Sequence, residues 1–392
     1  MNQKLFTLGP VEMFEYTRER TMGQLPYFRT EEFSKINLEC AERLKRLAGA
    51  PEDSHVFFLT CSGTGAMEAV VGGCFAAGDR LLAINGGGFG RRFCEMAVFH
   101  GIPTGSVDLA FGEALGPEKL ETAIESREST QINNIGAADA RFTGLLVNLH
   151  ETTTGQLYYK DVLAGFCRAN RLFFVVDAIG SFLADPLDFE KDGVDALIIS
   201  SQKALALPPG LSALILSDRL YEKVSGRVSV GQGAAGQGVR PFSLYLDLAE
   251  AEANSARGQT PFTPAVGLIL ALRDRLERLE AEGGAEAAVA RTKALAEDFR
   301  SRIEKLQKRK DTSPGKTTLA LPDYPLSNAC TPLVFPEGGA KAVYEKLASE
   351  HGVWLNPNGG PLADTVLRVG HLGNLTEKDN ALLAGLLTDI LT

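Results

Sequence analysis

The 392-residue sequence has no CxxC pair, and its six cysteines, at positions 40, 61, 74, 94, 167 and 330, are scattered. That excludes a zinc ribbon and argues against a disulfide framework; reduced thiols in a cytoplasm are the expectation. The five histidines are equally dispersed, so no metal site is expected. Basic residues are outnumbered, 40 Lys and Arg against 49 Asp and Glu, for a net charge of −9. A nucleic-acid surface needs the opposite balance. No apolar run reaches the length of a membrane span. The stretch Met1–Leu8 lacks the apolar core and cleavage site of a signal peptide. Two nucleotide signatures are missing as well. Ser62-Gly63-Thr64-Gly65 lacks the GKS or GKT of an ATP loop, and Gly86, Gly88 and Gly90 break the GxGxxG spacing.

What is present is an apolar run followed by small or polar residues, several times over. The length predicts two or three domains. A helix is expected from Thr30, as its cap, to Leu47. Val56–Thr60 reads as a buried strand, Ser62–Gly65 as a turn, and Ala66–Ala77 as a helix. Further strands are expected at Arg80–Ile84, Gly144–Leu149, Leu172–Val176, Val194–Ser201 and Leu211–Leu216. Gly112–Ala140 is polar and Gly226–Gly238 glycine-rich. Helices at Ala265–Glu282 and on to Lys308 follow, broken at Gly283-Gly284. Strands near Cys330–Phe335 and Thr365–Val369, with helices at Gly339–Glu350 and Thr376–Leu391, make a small α+β unit. The predicted division is an arm over 1–20, a large domain over 21–264, and a linking helix with a small domain over 265–392.

In open α/β sheets ligands bind at strand ends, and the candidate residues stand there. Lys203 follows the strand ending at Ser201, ahead of Pro208-Pro209-Gly210. Asp177 closes the run Leu172–Val176, where an ionised carboxylate is costly to bury unless a cation or donors meet it. The turn Ser62, Gly63, Thr64, Gly65 and Ala66 either cradles a phosphate at a helix start or is simply tight. Phe89, among glycines, either covers a flat ring or belongs to the core. Hydroxyls of His150-Glu-Thr152-Thr-Thr-Gly155 either face a ligand or cap a following helix, and His150 reads as a satisfied polar residue. Arg368, in Val366-Leu-Arg-Val-Gly370, either holds an anion or is a surface side chain. One cofactor uses the whole set. Pyridoxal 5′-phosphate (PLP) needs helix-start amides, a flat face, a carboxylate for its ring nitrogen and a lysine for a Schiff base.

The run Ser200-Ser-Gln-Lys-Ala-Leu-Ala-Leu-Pro-Pro-Gly210 resembles the lysine motif of class V (fold type I) PLP-dependent aminotransferases of the alanine–glyoxylate / serine–pyruvate branch. Leu8-Gly9-Pro10 and Phe28-Arg-Thr-Glu-Glu-Phe33 resemble that branch's N-terminal signatures, and the likeness spans almost the whole chain. It implies an α/β fold with a mostly parallel sheet, helices on both faces and a small C-terminal domain. It also implies Lys203 as Schiff-base lysine and proton shuttle, Asp177 as ring-nitrogen partner, and Phe89, Thr152 and Gln202 as cofactor contacts. Thr260 is implied to reach the cofactor phosphate of a neighbouring subunit, and Arg368 and Gly9 to meet substrate. Phe89 stands where tryptophan is common, and Arg257 where a tyrosine is usual. The implied protein is a cytoplasmic homodimer with shared active sites. It moves an amino group from a small amino acid (alanine or serine type) to a 2-oxo acid (glyoxylate or pyruvate type) by ping-pong kinetics. The alternatives are a 2-aminoethylphosphonate–pyruvate aminotransferase, a cysteine desulfurase-like lyase, and a non-catalytic binding protein on the same scaffold.

Overall fold

In the computed structural model, residues 3–21, 23–125, 130–131, 141–225, 242–308 and 319–391 are described. The chain opens with a short strand β1 (Lys4–Leu5), helix α1 (Glu15–Thr21) and helix α2 (Glu31–Ala48). Thr30 caps α2 by accepting from the Phe33 amide, as its position before an amphipathic run predicts. Strands and helices then alternate: β2 (His55–Leu59), α3 (Gly63–Cys74), β3 (Leu81–Asn85), α4 (Gly88–Phe99), β4 (Thr104–Asp108), α5 (Pro117–Glu125), β5 (Thr130–Gln131) and β6 (Gly144–Asn148). A two-residue hairpin pair follows, β7 (His150–Glu151) and β8 (Gln156–Leu157), then α6 (Lys160–Asn170), β9 (Phe173–Asp177), β10 (Ala196–Ser200) and β11 (Ser212–Leu216). Helices α7 (Asp218–Ser225), α8 (Leu248–Ser255), α9 (Val266–Ala281) and α10 (Gly284–Lys308) lead to the last part. That part holds β12 (Cys330–Val334), α11 (Ala340–His351), β13 (Val353–Trp354), β14 (Asn356–Pro357), β15 (Val366–Gly370) and α12 (Glu377–Leu391).

Eight strands form one sheet in the order β2-β11-β10-β9-β6-β3-β4-β5. The run from β10 through β9, β6 and β3 to β4 is parallel, and β11 lies antiparallel between β2 and β10. Alternation along each strand builds two cores. Leu82 and Ile84 of β3 face α2, α6 and α9, whereas Leu81 and Ala83 face α3, α4 and α8. Both faces are covered, which is why these strands read as continuous apolar runs. A third core packs α10, α11 and α12 on the three-stranded sheet β12-β15-β14, and Phe6 inserts there from the N-terminal stretch.

The expected elements are present with shifted ends. Helix α3 starts at Gly63 rather than Ala66, because glycines at a first turn tolerate helical dihedrals. The polar segment 112–140 holds α5, with only Leu120 and Ala123 buried. The N-terminal stretch carries β1, paired in parallel with β13, and α1. The glycine-rich 226–238 stretch lies outside the described residues. All six cysteines are free, and among the described residues no group of His, Cys, Asp and Glu could hold a metal. No described helix is long and apolar enough to cross a membrane.

Candidate functional site at the carboxyl edge of the sheet

The register puts the carboxyl ends of six strands, β2, β10, β9, β6, β3 and β4, on one edge. Asn148, last in β6, pairs with Asp177, last in β9. Ser200, last in β10, pairs with Ser212, which in turn pairs with Leu59, last in β2. The turns that follow therefore converge. Gly63, opening α3, packs on the Asp177 turn and on β10: a Cβ there would sit 2.4 Å from Ile179 Cδ1 and 3.4 Å from Ser200 Cβ. Ser62 makes no side-chain cap, and its carbonyl accepts from the Gly65 and Ala66 amides at 2.9 and 3.2 Å. The start of α3, with its outward amides and positive dipole end, is thus free of a side-chain acceptor.

The first turn of α4, which carries Phe89, is tied to the His150–Gly155 hairpin by one carboxylate. Glu151, fully buried, accepts from the Gly90 amide at 3.2 Å and from the Thr153 amide at 3.0 Å. Thr153 Oγ1 accepts from the Gly88 amide at 3.0 Å. Here the threonines brace a hairpin and the first turn of α4 instead of capping a following helix, because β8 follows where a helix was the alternative. Arg92, one turn beyond Phe89, donates to Thr64 Oγ1 at 3.2 Å, with its guanidinium carbon 5.2 Å from the Phe89 ring centre. A cation therefore stands at the Ser62–Ala66 turn.

Asp177 is 2 % exposed and accepts from the Ile179 amide at 2.9 Å. Burial pushes its carboxyl up to about 6, against the pull of that amide and of the Lys203 charge. Lys203 is half-buried in the turn after β10. Burial brings its amine down to about 8; Asp177 opposes that shift and Arg368 adds to it. Ala206 of the same turn has φ 54°, the left-handed region disfavoured for a residue with a Cβ, and its amide bonds the Lys203 carbonyl at 2.8 Å. Gln202 accepts from Ser200 Oγ at 2.6 Å. Gly9 touches the lysine itself, for a Cβ there would lie 2.8 Å from Lys203 Cδ, and its φ of 140° already favours glycine.

Arg368 closes the site from β15. It donates to the Thr152 carbonyl at 2.9 Å and to the Pro357 carbonyl at 2.8 Å, and its Nε has no partner. Gly9, Phe89, Thr152, Asp177, Gln202, Lys203, Arg368 and the Ser62–Ala66 turn are thus gathered at one edge. Thr260 lines a pocket with Leu59 and Thr60 at the end of β2, and its hydroxyl donates to the Phe262 carbonyl at 2.7 Å. His150 is only half satisfied. Its Nδ1 meets the Gly180 carbonyl at 3.3 Å, while Nε2 has no partner, and burial lowers its pKa to about 3, so the ring is neutral. Sequence reasoning missed the tether Glu151 and the cation Arg92. Glu151 stood inside a quoted motif and Arg92 two residues past Gly90, but their partners are distant in the chain.

A mostly parallel sheet with helices on both faces is also the fold of the solved aminotransferases this chain superposes on. The comparisons agree. The family model described as "Aminotransferase class-V" matches residues 130–319. "L-aspartate--glyoxylate aminotransferase" of Paracoccus denitrificans is 27% identical over 395 residues, covering 98% of this chain and 89% of that protein. A protein named "Soluble hydrogenase, small subunit", of Synechococcus sp., is also 27% identical, over 365 residues, covering 92% of this chain and 85% of its own. Among solved structures, alanine–glyoxylate aminotransferase from Nostoc sp. aligns with TM-score 0.84 and 25% identity, covering 100% of this chain and 96% of that one. By these matches the chain is similar to class-V aminotransferases, by sequence over nearly its whole length and by fold.

Proposed function

We propose that this protein uses pyridoxal 5′-phosphate to move an amino group from a small amino acid, of the alanine or serine type, to a 2-oxo acid of the glyoxylate or pyruvate type. One observation carries the reading: an amine brought down to about 8, Lys203, at a sheet edge it shares with the buried Asp177 and the guanidinium of Arg368. Glyoxylate stands in the names of both aminotransferases compared above, whereas the amino donors differ. The acceptor is therefore the better supported half of the assignment.

The residues present suit the cofactor. Asn148 Oδ1, His150 Nε2 and Arg368 Nε are buried polar atoms without partners, which points to a polar ligand. Gly63 and Thr64 amides and Arg92 would hold a phosphate, Phe89 would lie on a ring, and Asp177 would meet a protonated ring nitrogen. A carboxyl held up at about 6 by burial drops back and ionises when a cation arrives beside it. When bound, pyridoxal phosphate supplies an aldehyde for an amine and a ring that draws electrons from the substrate's α-carbon. Lys203, once free, takes the α-proton on Nζ and returns it, a role that needs an amine with pKa near the working pH. Arg368 orients the substrate carboxylate. The Gln202–Ser200 bond and the glycine at position 9 keep the lysine chain in its lane.

The reading extends to the chain's organisation. Residues 1–20 are taken as an arm, 21–264 as a cofactor domain, and 265–392 as a linking helix with a small domain. A homodimer with shared sites is supported by exposed Tyr27, Leu244, Tyr245 and Phe262 near Thr260. Six free cysteines support a cytoplasmic setting. A desulfurase needs an accessible, acidic thiol. Cys330 is buried and burial pushes its thiol up to about 12, which is the opposite of that requirement. In the test, purified protein is mixed with single amino acids and its near-visible absorbance followed. Bleaching by a small amino acid and recovery on adding glyoxylate or pyruvate are expected. A featureless spectrum, or a rate requiring both substrates bound at once, contradicts the proposal.

A further inference from the structure

Ala204, next to Lys203 in the chain, also lines a second cavity of about 360 Å³ between the α9–α10 junction and the Leu372–Gly373 turn. At about 30 Å³ per water, that is room for roughly ten waters. Its wall carries Arg275 of α9, Arg291 of α10 and one acid, Glu282. Arg275 is 6 % exposed. One terminal nitrogen donates to the Tyr16 hydroxyl at 3.2 Å and lies 3.5 Å from the Glu282 carboxylate, and the guanidinium stacks 4.6 Å from the Phe14 ring centre. Its Nε has no hydrogen-bond partner. Arg291 donates to the Gly373 and Leu375 carbonyls at 3.1 and 2.8 Å, which are neutral acceptors.

The cavity thus holds two guanidinium groups against one carboxylate, whose side chain is 62% exposed. Arg291 is exposed, but Arg275 is buried, and a charge buried in this way ordinarily finds a counter-charge with its donors satisfied. The first turn of α10, a 25-residue helix starting at Gly284, opens on the same space and adds the positive end of its dipole. We propose that this cavity is a binding site for a small oxyanion, a phosphate or a carboxylate, distinct from the Lys203 site. Guanidinium donors pair with either oxyanion. A bound anion would join α9 to α10 across the Gly283-Gly284 break and stiffen the wall that carries Ala204.

Calorimetric titration of the purified holoenzyme with inorganic phosphate, and separately with malonate, tests this. Saturable binding of one anion per chain is expected, and the preferred probe separates phosphate from carboxylate as the source. Arg275→Gln should weaken it by about tenfold or more. Glu282→Gln should strengthen it, because the carboxylate competing for Arg275 is gone. Arg368→Gln, at the other site, should leave it unchanged. Absence of binding by either anion, or loss of binding in Arg368→Gln alone, overturns the proposal. Glu282 is exposed enough to replace without unfolding, so an unchanged affinity in Glu282→Gln also overturns it even where Arg275→Gln fails to fold.

Discussion

The two walls that meet at Lys203 are held in different ways. On the eight-stranded sheet, the aspartate and the lysine turn are fixed by close neighbours in sequence. Asp177 takes the Ile179 amide, Gln202 takes the Ser200 hydroxyl, and the strained Ala206 amide returns to Lys203. On the three-stranded sheet, Arg368 is fixed by two carbonyls from separate segments, Thr152 and Pro357. One of those belongs to the opposite wall. The first wall is rigid by local bonding, which suits groups that exchange protons. The second depends on how the two parts sit together, which suits a group that grips a substrate and lets it go. Chemistry should therefore fail when the first wall is altered, and binding when the second is.

The largest effect is expected at the lysine. Lys203→Ala should lower turnover by about a thousandfold or more, the range for losing a positioned proton-transfer group, while the thermal transition stays close to the parent's. Near-parental turnover would erase the contrast between the walls. A smaller and different effect is expected across the site. Arg368→Gln removes a charge-assisted contact of about 1.5–3 kcal/mol, so KM for both substrates should rise roughly tenfold to a hundredfold, with kcat changed much less. A loss confined to kcat would assign Arg368 to the first wall instead. Steady-state kinetics with one donor and one acceptor read both variants.

The first wall was far more legible in the sequence than the second. Buried parallel strands leave continuous apolar runs, and the polar residue ending each run announces the edge, as Asp177 and Lys203 do. The cap at Thr30 was legible too, since it acts within one turn. Contacts that join distant segments left no local trace. Gly9 against Lys203, Glu151 beneath the first turn of α4 and Arg92 on Thr64 are of this kind. Helix α5 was hidden because it buries little, and the Arg275–Arg291 cavity because its walls come from five separate stretches.

The central claim is that burial and the nearby arginine hold the Lys203 amine partly neutral near physiological pH. Capture of pyridoxal phosphate by the cofactor-free chain, followed against pH, tests it most directly. A depressed lysine loses its proton early, so the neutral, reactive fraction grows as pH rises toward its pKa. The capture rate should increase with pH, bend near 8 and level off above. Arg368→Gln removes a cation that presses the pKa down, so its bend should move to higher pH. A wild-type bend near the ordinary 10.5, or one unmoved in Arg368→Gln, would contradict the account.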